Sequence, residues 1–177
     1  MLLKRKKPGG GGRYFRSEIV RTERDEHGFF DFKLFVREEG RDLPITRDCL
    51  FTLSERAFAA TGASPGDISL LVCGDPFISE LNEQYLGTAG PTDVLAFPLR
   101  EGERPRIPHH PLGDIVISCD AAEQEASSGG SSVAEEFIFL FVHGLLHLLG
   151  YIHDSLEDRR RMDELAYEII SGVATNP

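Results

Sequence analysis

Phe141-Val-His-Gly-Leu-Leu-His-Leu-Leu-Gly-Tyr-Ile-His-Asp154 carries three of the chain's six histidines, at positions 143, 147 and 153. His143 and His147 are four residues apart, so on a helix their imidazoles stand one turn apart on the same face. Gly150 follows directly and can take the left-handed conformation that ends a helix. The chain then turns back, and His153 can return toward the other two. Three neutral nitrogen ligands with a fourth position open is how catalytic zinc sites are built. A paired i, i+4 histidine alone reads as a polar stripe; the third histidine, at this distance after a helix-ending glycine, favours a metal. Three imidazoles without thiolate suit zinc, nickel or copper, and the reading adopted is one Zn2+ held by His143, His147 and His153.

Working outward, Ser132 and Glu135 form a capping box that opens a helix over about 133–149. Val133, Phe137, Leu140, Phe141, Leu145 and Leu148 make it apolar nearly all round, so it is expected to be the central buried helix. Imidazoles buried there need partners, and a metal provides one. Beyond the histidines, Ser155 and Asp158 suggest a second capping box, opening a final helix to about 171 with Gly172 as its stop. Met162, Leu165, Ile169 and Ile170 supply its apolar stripe. Arg159-Arg160-Arg161 straddles that helix, either as a phosphate contact or as a solvated face paired with Glu157 and Asp163.

Upstream, Ser17 to Thr22 reads as a strand. Phe30, Phe32, Leu34 and Val36 alternate as in a half-buried strand, with His27-Gly28 as the preceding turn. Thr46 caps a helix carrying Leu50, Leu53, Ala57 and Ala60, stopped by Gly62. Ile68 to Cys73 is a continuous apolar run of the buried-strand kind. Asp75-Pro76 reads as an N-cap and first-turn proline for a helix presenting Ile78, Leu81 and Tyr85. Val94 to Phe97 is a short strand entered through Pro91-Thr92-Asp93. Thr92 and Asp93 either satisfy backbone donors at that entrance or place Asp93 in an active site. A proline- and charge-rich loop from Arg100 to Pro111 carries His109-His110, expected to face solvent. Leu112 to Ser118 is a buried strand, whose Asp114 either orients a ligand histidine or is a strand-end acceptor. Cys119 to Ala126 is a short helix, and Ser127 to Ser132 a flexible connection.

The 177 residues suffice for one domain with a well-buried core. Residues 1–12, with Lys4-Arg-Lys-Lys7 and four glycines, read as a tail, leaving 13–177 as a single domain. No apolar run approaches the roughly 18 residues that cross a bilayer, and no secretory pattern opens the chain, so a cytoplasmic location and no membrane partner are expected. Cys49, Cys73 and Cys119 form no Cys-x-x-Cys pair and read as small hydrophobes. A net charge of −10 argues against non-specific coating of nucleic acid, yet leaves room for a local basic groove.

The 143–153 stretch has the spacing of the metzincin signature H-E-x-x-H-x-x-G-x-x-H, with Gly144 where that motif carries its general-base glutamate. It resembles more fully the H-G-x-L-H-L-x-G-Y-D-H signature of the YbeY family, bacterial metal-dependent endoribonucleases of ribosomal RNA maturation. Ile152 departs from that pattern. The resemblance extends to Leu81, Asn82, Tyr85 and Pro91 to Phe97-Pro98, and to Leu112-Gly-Asp-Ile-Val-Ile-Ser118. Leu86 stands where the family carries an arginine implicated in RNA cleavage, and Arg100 is the nearby candidate to take its place.

The resemblance implies an α+β, zincin-like fold: a small mixed sheet packed with about five helices around the metal-binding helix. It further implies a zinc-dependent, single-strand-specific endoribonuclease of 16S rRNA 3′-end maturation and ribosome quality control. Its partners would be rRNA and the small ribosomal subunit, with no DNA, and the chain would be a monomer. The catalytic assignments are then His143, His147, Asp93 and Arg100. The nucleophile is either water at the metal or the RNA 2′-hydroxyl. Two other readings stand beside this one: a metalloprotease-like hydrolase, favoured by ligand spacing and opposed by Gly144, and a non-catalytic zinc-binding ribosome-associated factor.

Overall fold

A computed structural model describes residues 18–20, 32–99 and 110–173. Its five strands are β1 (Glu18–Val20), β2 (Leu34–Glu38), β3 (Asp67–Cys73), β4 (Val94–Pro98) and β5 (Pro111–Ser118). The five helices are α1 (Arg47–Thr61), α2 (Asp75–Leu86), α3 (Cys119–Gly129), α4 (Val133–Leu148) and α5 (Leu156–Ile170). The expected tail at 1–12, His27 and the loop from Arg100 to His109 lie outside the described residues.

The sheet runs β1-β2-β3-β5-β4, with β2, β3 and β5 parallel and both outer strands antiparallel to their neighbours. This is the expected mixed sheet of an α+β fold. Parallel neighbours need crossovers, and the helices between β2, β3 and β5 supply them. One face carries the main core, where α1, α3, α4 and α5 pack through Leu50, Leu53, Ala122, Phe137, Phe141, Met162 and Ile169. On the other face α2 sets Ile78 against Cys73, Leu95 and Val116.

α4 lies at the centre, as its all-round apolarity requires. The Ser132 hydroxyl accepts from Glu135 N–H at 3.2 Å, while the Glu135 carboxylate accepts from Ser132 N–H at 2.7 Å. At the other end Gly150 takes φ 94°, and the Tyr151 N–H reaches back to the Leu146 carbonyl at 3.0 Å. Midway, Gly144 lets the helix touch the sheet. A Cβ there would stand 2.9 Å from Ile115 Cγ2 and 3.2 Å from Val94 Cγ2.

Local details differ from the sequence expectation. The α2 N-cap is Gly74 rather than Asp75, whose carboxylate accepts from the Ser118 hydroxyl at 2.6 Å. α3 absorbs Ser127 to Gly129, because Ser127 and Ser128 bond back to the Glu123 and Gln124 carbonyls at 2.7 and 2.9 Å. His110 is buried rather than solvent-facing, since Gly66 leaves room for its ring and its carbonyl accepts from Asp67 N–H at 2.8 Å. All three cysteines are free and buried, and burial pushes the Cys73 thiol up to about 12, which makes it inert. No single described helix is long and apolar enough to cross a membrane.

Candidate metal centre

The last turn of α4 and the chain reversal after it bring His143, His147 and His153 together. One nitrogen from each ring lies within 4.8 Å of the others. The His143 and His147 Nε2 atoms are 3.1 Å apart, and ring centroids are separated by 4.8, 5.3 and 5.0 Å. His147 Nδ1 is 2.9 Å from the Tyr151 carbonyl oxygen. A carbonyl only accepts, so Nδ1 carries the proton and the Nε2 lone pair faces the cluster. The turn that recruits His153 therefore also orients His147.

Burial keeps His143 and His147 neutral. Burial, then the neighbouring His147 and His153, hold His143 down to about 4, against the opposing pull of Asp163 and Asp93. Burial lowers His147 as well, partly offset by its bond to the Tyr151 carbonyl. Neutral imidazole is the ligating form. His147 Nε2 is an acceptor in this 3.1 Å contact, and His143 Nδ1 is buried with no hydrogen-bond partner, so His143 is free to turn either a proton or a lone pair toward the cluster. Three ring nitrogens within 4.8 Å of one another, each able to offer a lone pair, are a donor set that fits a metal.

The depressed His143 value sets a stability window. The unfolded imidazole binds its proton near pH 6.5, the folded one only near pH 4. Between these values the unfolded state holds more protons, so stability of the metal-free chain falls as pH drops through that window. Thermal melting between pH 7 and pH 4.5 is expected to fall more steeply for the parent than for His143→Gln. Equal slopes would remove His143 as the cause.

The histidines open into a cleft of about 420 Å³ walled by β4 and lined also by Leu86, Asp93, Ile152 and Arg159. Asp93 fills the backbone-acceptor role at the strand entrance and also lines the cleft. Its Oδ1 accepts from Val94 N–H at 2.8 Å and from the Thr92 hydroxyl at 3.0 Å. Asn82, buried at the base of this loop, donates to the Gly90 carbonyl at 2.9 Å. Leu86 lines the rim, 63 % exposed.

Asp114 orients no histidine. Strand alternation sends Ile115 toward Gly144 on α4, and so sends Asp114 to the opposite face, into a groove with Phe35 and Leu71. Arg100 lies outside the described residues. Asp163 is not the arginine run's partner: Arg160 pairs with Glu157 and Glu164, and Arg161 with Glu157. Sequence reading missed the cleft position of Arg159 and the Tyr151 carbonyl. Helical spacing from Glu157 marks Arg160 and Arg161 as the paired arginines, but only the packing of α5 aims Arg159.

A mixed sheet with three histidines gathered at the end of its central helix defines a zincin-like α+β protein. The Endoribonuclease YbeY family model matches residues 45–174, and the chain belongs to that family, one of hydrolytic enzymes. The Endoribonuclease YbeY of Moorella thermoacetica is 39 % identical over 149 residues, covering 78 % of this chain and 95 % of that protein. The Geobacter metallireducens protein of the same name is 35 % identical over 141 residues, covering 78 % and 94 %. Among solved structures, the solution structure of TM1509 from Thermotoga maritima superposes with a TM-score of 0.51 at 26 % identity, covering 76 % of this chain and 89 % of that one.

Proposed function

We propose that the chain is a zinc-dependent, single-strand-specific endoribonuclease, acting as a cytoplasmic monomer with the small ribosomal subunit in 16S rRNA 3′-end maturation and ribosome quality control. The observation that carries this reading is the convergence of three imidazoles in an open cleft with no carboxylate on the α4 turn between His143 and His147. Gly144 occupies that turn, so a phosphodiester approaches His143 and His147 without meeting a negative charge there.

His143, His147 and His153 hold the metal, with His147 clamped by the Tyr151 carbonyl. The bound ion supplies Lewis acidity at a phosphoryl oxygen and makes water a competent nucleophile near neutral pH. Among the described residues, β4 is the sheet edge along the cleft. Asp93 O and Leu99 N–H bond to β5, so by antiparallel alternation the Ala96 N–H and C=O point away from the sheet, toward the cleft. That edge offers donors and acceptors to an extended strand of RNA. Asp93 Oδ2 is left to accept a proton from water or from the ribose 2′-hydroxyl.

The same edge favours a second reading, an extended peptide added to β4, as in strand-addition complexes. The glycine at 144 weighs against it. The test uses a 5′-labelled single-stranded 16S rRNA 3′ fragment, the same fragment annealed to its complement, and casein. Each is offered to chelated protein and to protein with zinc restored. Metal-dependent cutting of the single strand alone is expected. Cutting of RNA that ignores chelation, or cutting of casein only, overturns the proposal.

A further inference from the structure

Among the described residues, the cleft holds one cation that the metal centre does not use. Arg159, exposed in the first turn of α5, lines the histidine cleft, and no other arginine or lysine among the described residues does so. Its side chain makes no hydrogen bond or ion pair with any described residue, whereas the two arginines that follow it are both engaged. Arg160 binds Glu157 at 3.0 Å and Glu164 at 2.5 Å; Arg161 binds Glu157 at 3.0 Å. Asp163, one turn further along, is in helical range of Arg159, yet the two do not pair. The Asp163 carboxylate acts on His143 instead.

An unpaired guanidinium lining the same cleft as the three imidazoles is a seat for an anion. Its planar fork matches two phosphoryl oxygens, which a leucine such as Leu86 in the same cleft cannot do. Asp93 is the one carboxylate among the described residues lining this cleft, and it is held at the β4 entrance by Val94 N–H and Thr92. The cleft thus has an acidic position on the β4 side and a basic one on the α5 side. We infer that Arg159 grips a non-bridging phosphate of single-stranded RNA beside the nucleotide held at the histidines, fixing the register of the strand along the β4 edge. This rests on the endoribonuclease reading above.

The experiment is fluorescence anisotropy of a labelled 2′-O-methyl single-stranded oligoribonucleotide, which lacks the 2′-hydroxyl nucleophile and is checked on a gel for hydrolysis by water, titrated with zinc-loaded protein over a range of salt. The parent, Arg159→Ala, Arg159→Lys and Arg161→Ala are compared, with zinc content measured in each. Arg159→Ala is expected to weaken binding about tenfold, the scale of one charge-assisted contact. It should also flatten the dependence of log affinity on log salt by about 0.7, the release expected for one phosphate on a single strand. Arg159→Lys should restore part of the affinity and the full salt slope, and Arg161→Ala should match the parent. A parent that binds RNA with an Arg159→Ala variant of equal affinity and slope overturns the inference alone. Equal weakening by Arg161→Ala also overturns it, by showing diffuse charge rather than a seat. A zinc-loaded parent that binds no RNA brings down the endoribonuclease reading and this inference together.

Discussion

Replacing His147 with alanine is expected to leave a folded chain that neither retains zinc nor cuts RNA. The ring sits on the last turn of α4, where alanine is the better helix former, and the bond given up to the Tyr151 carbonyl is worth only about 1 kcal/mol. The metal loses far more. Disturbing a residue that merely orients a ligand costs roughly 10- to 100-fold in affinity, and here the ligand itself goes. His143 and His153 remain, too few for the three-ligand site of a catalytic ion. Zinc bound per chain and cleavage of the labelled 16S fragment should fall together. A variant that keeps its zinc assigns the ion to other residues. One that loses its zinc yet cuts as fast as the parent points to a contaminating nuclease and removes the proposed mechanism.

Gly144 gives the second large effect. On an exposed helix, glycine to alanine stabilises by about 1 kcal/mol. Here the new methyl would lie 2.9 Å from Ile115 Cγ2 and 3.2 Å from Val94 Cγ2, both on stiff β-branched side chains. Overpacking of this kind costs about 1–3 kcal/mol, so Gly144→Ala is expected to be net destabilising in urea unfolding. Gly144→Glu adds a carboxylate with no place between α4 and the sheet, and burying it unpaired costs several kcal/mol more. It should therefore unfold at markedly lower urea and gain no peptidase activity. A Gly144→Glu protein as stable as the parent and active on casein would show that the helix can lift off the sheet, and would revive the protease reading. The glutamate position of the metzincin spacing is thus closed by packing as well as by residue identity.

What the sequence decided by itself is whatever depends on neighbours along the chain. Helix periodicity placed His143 and His147 on one face, the glycine at 150 ended the helix, and the Ser132–Glu135 and Ser155–Asp158 pairs marked two helix starts. Continuous apolar runs marked β3 and β5 as buried strands, and apolarity on every side marked α4 as central. These signals are local and periodic, so they survive without knowledge of the fold. The tertiary structure alone decided which polar groups face the metal cleft. Asp93 and Asp114 both sit next to short apolar strands, yet one lines the cleft and the other faces the far groove, because that depends on which side of the sheet α4 covers. Burial of His110 required a glycine far from it in sequence, at 66, to leave the space. Of three consecutive arginines, two are tied along their own helix and the third is aimed into the cleft by the packing of α5 against α4. Contacts within a helix repeat with the sequence; contacts between elements depend on how whole faces meet, and no short window of residues encodes that.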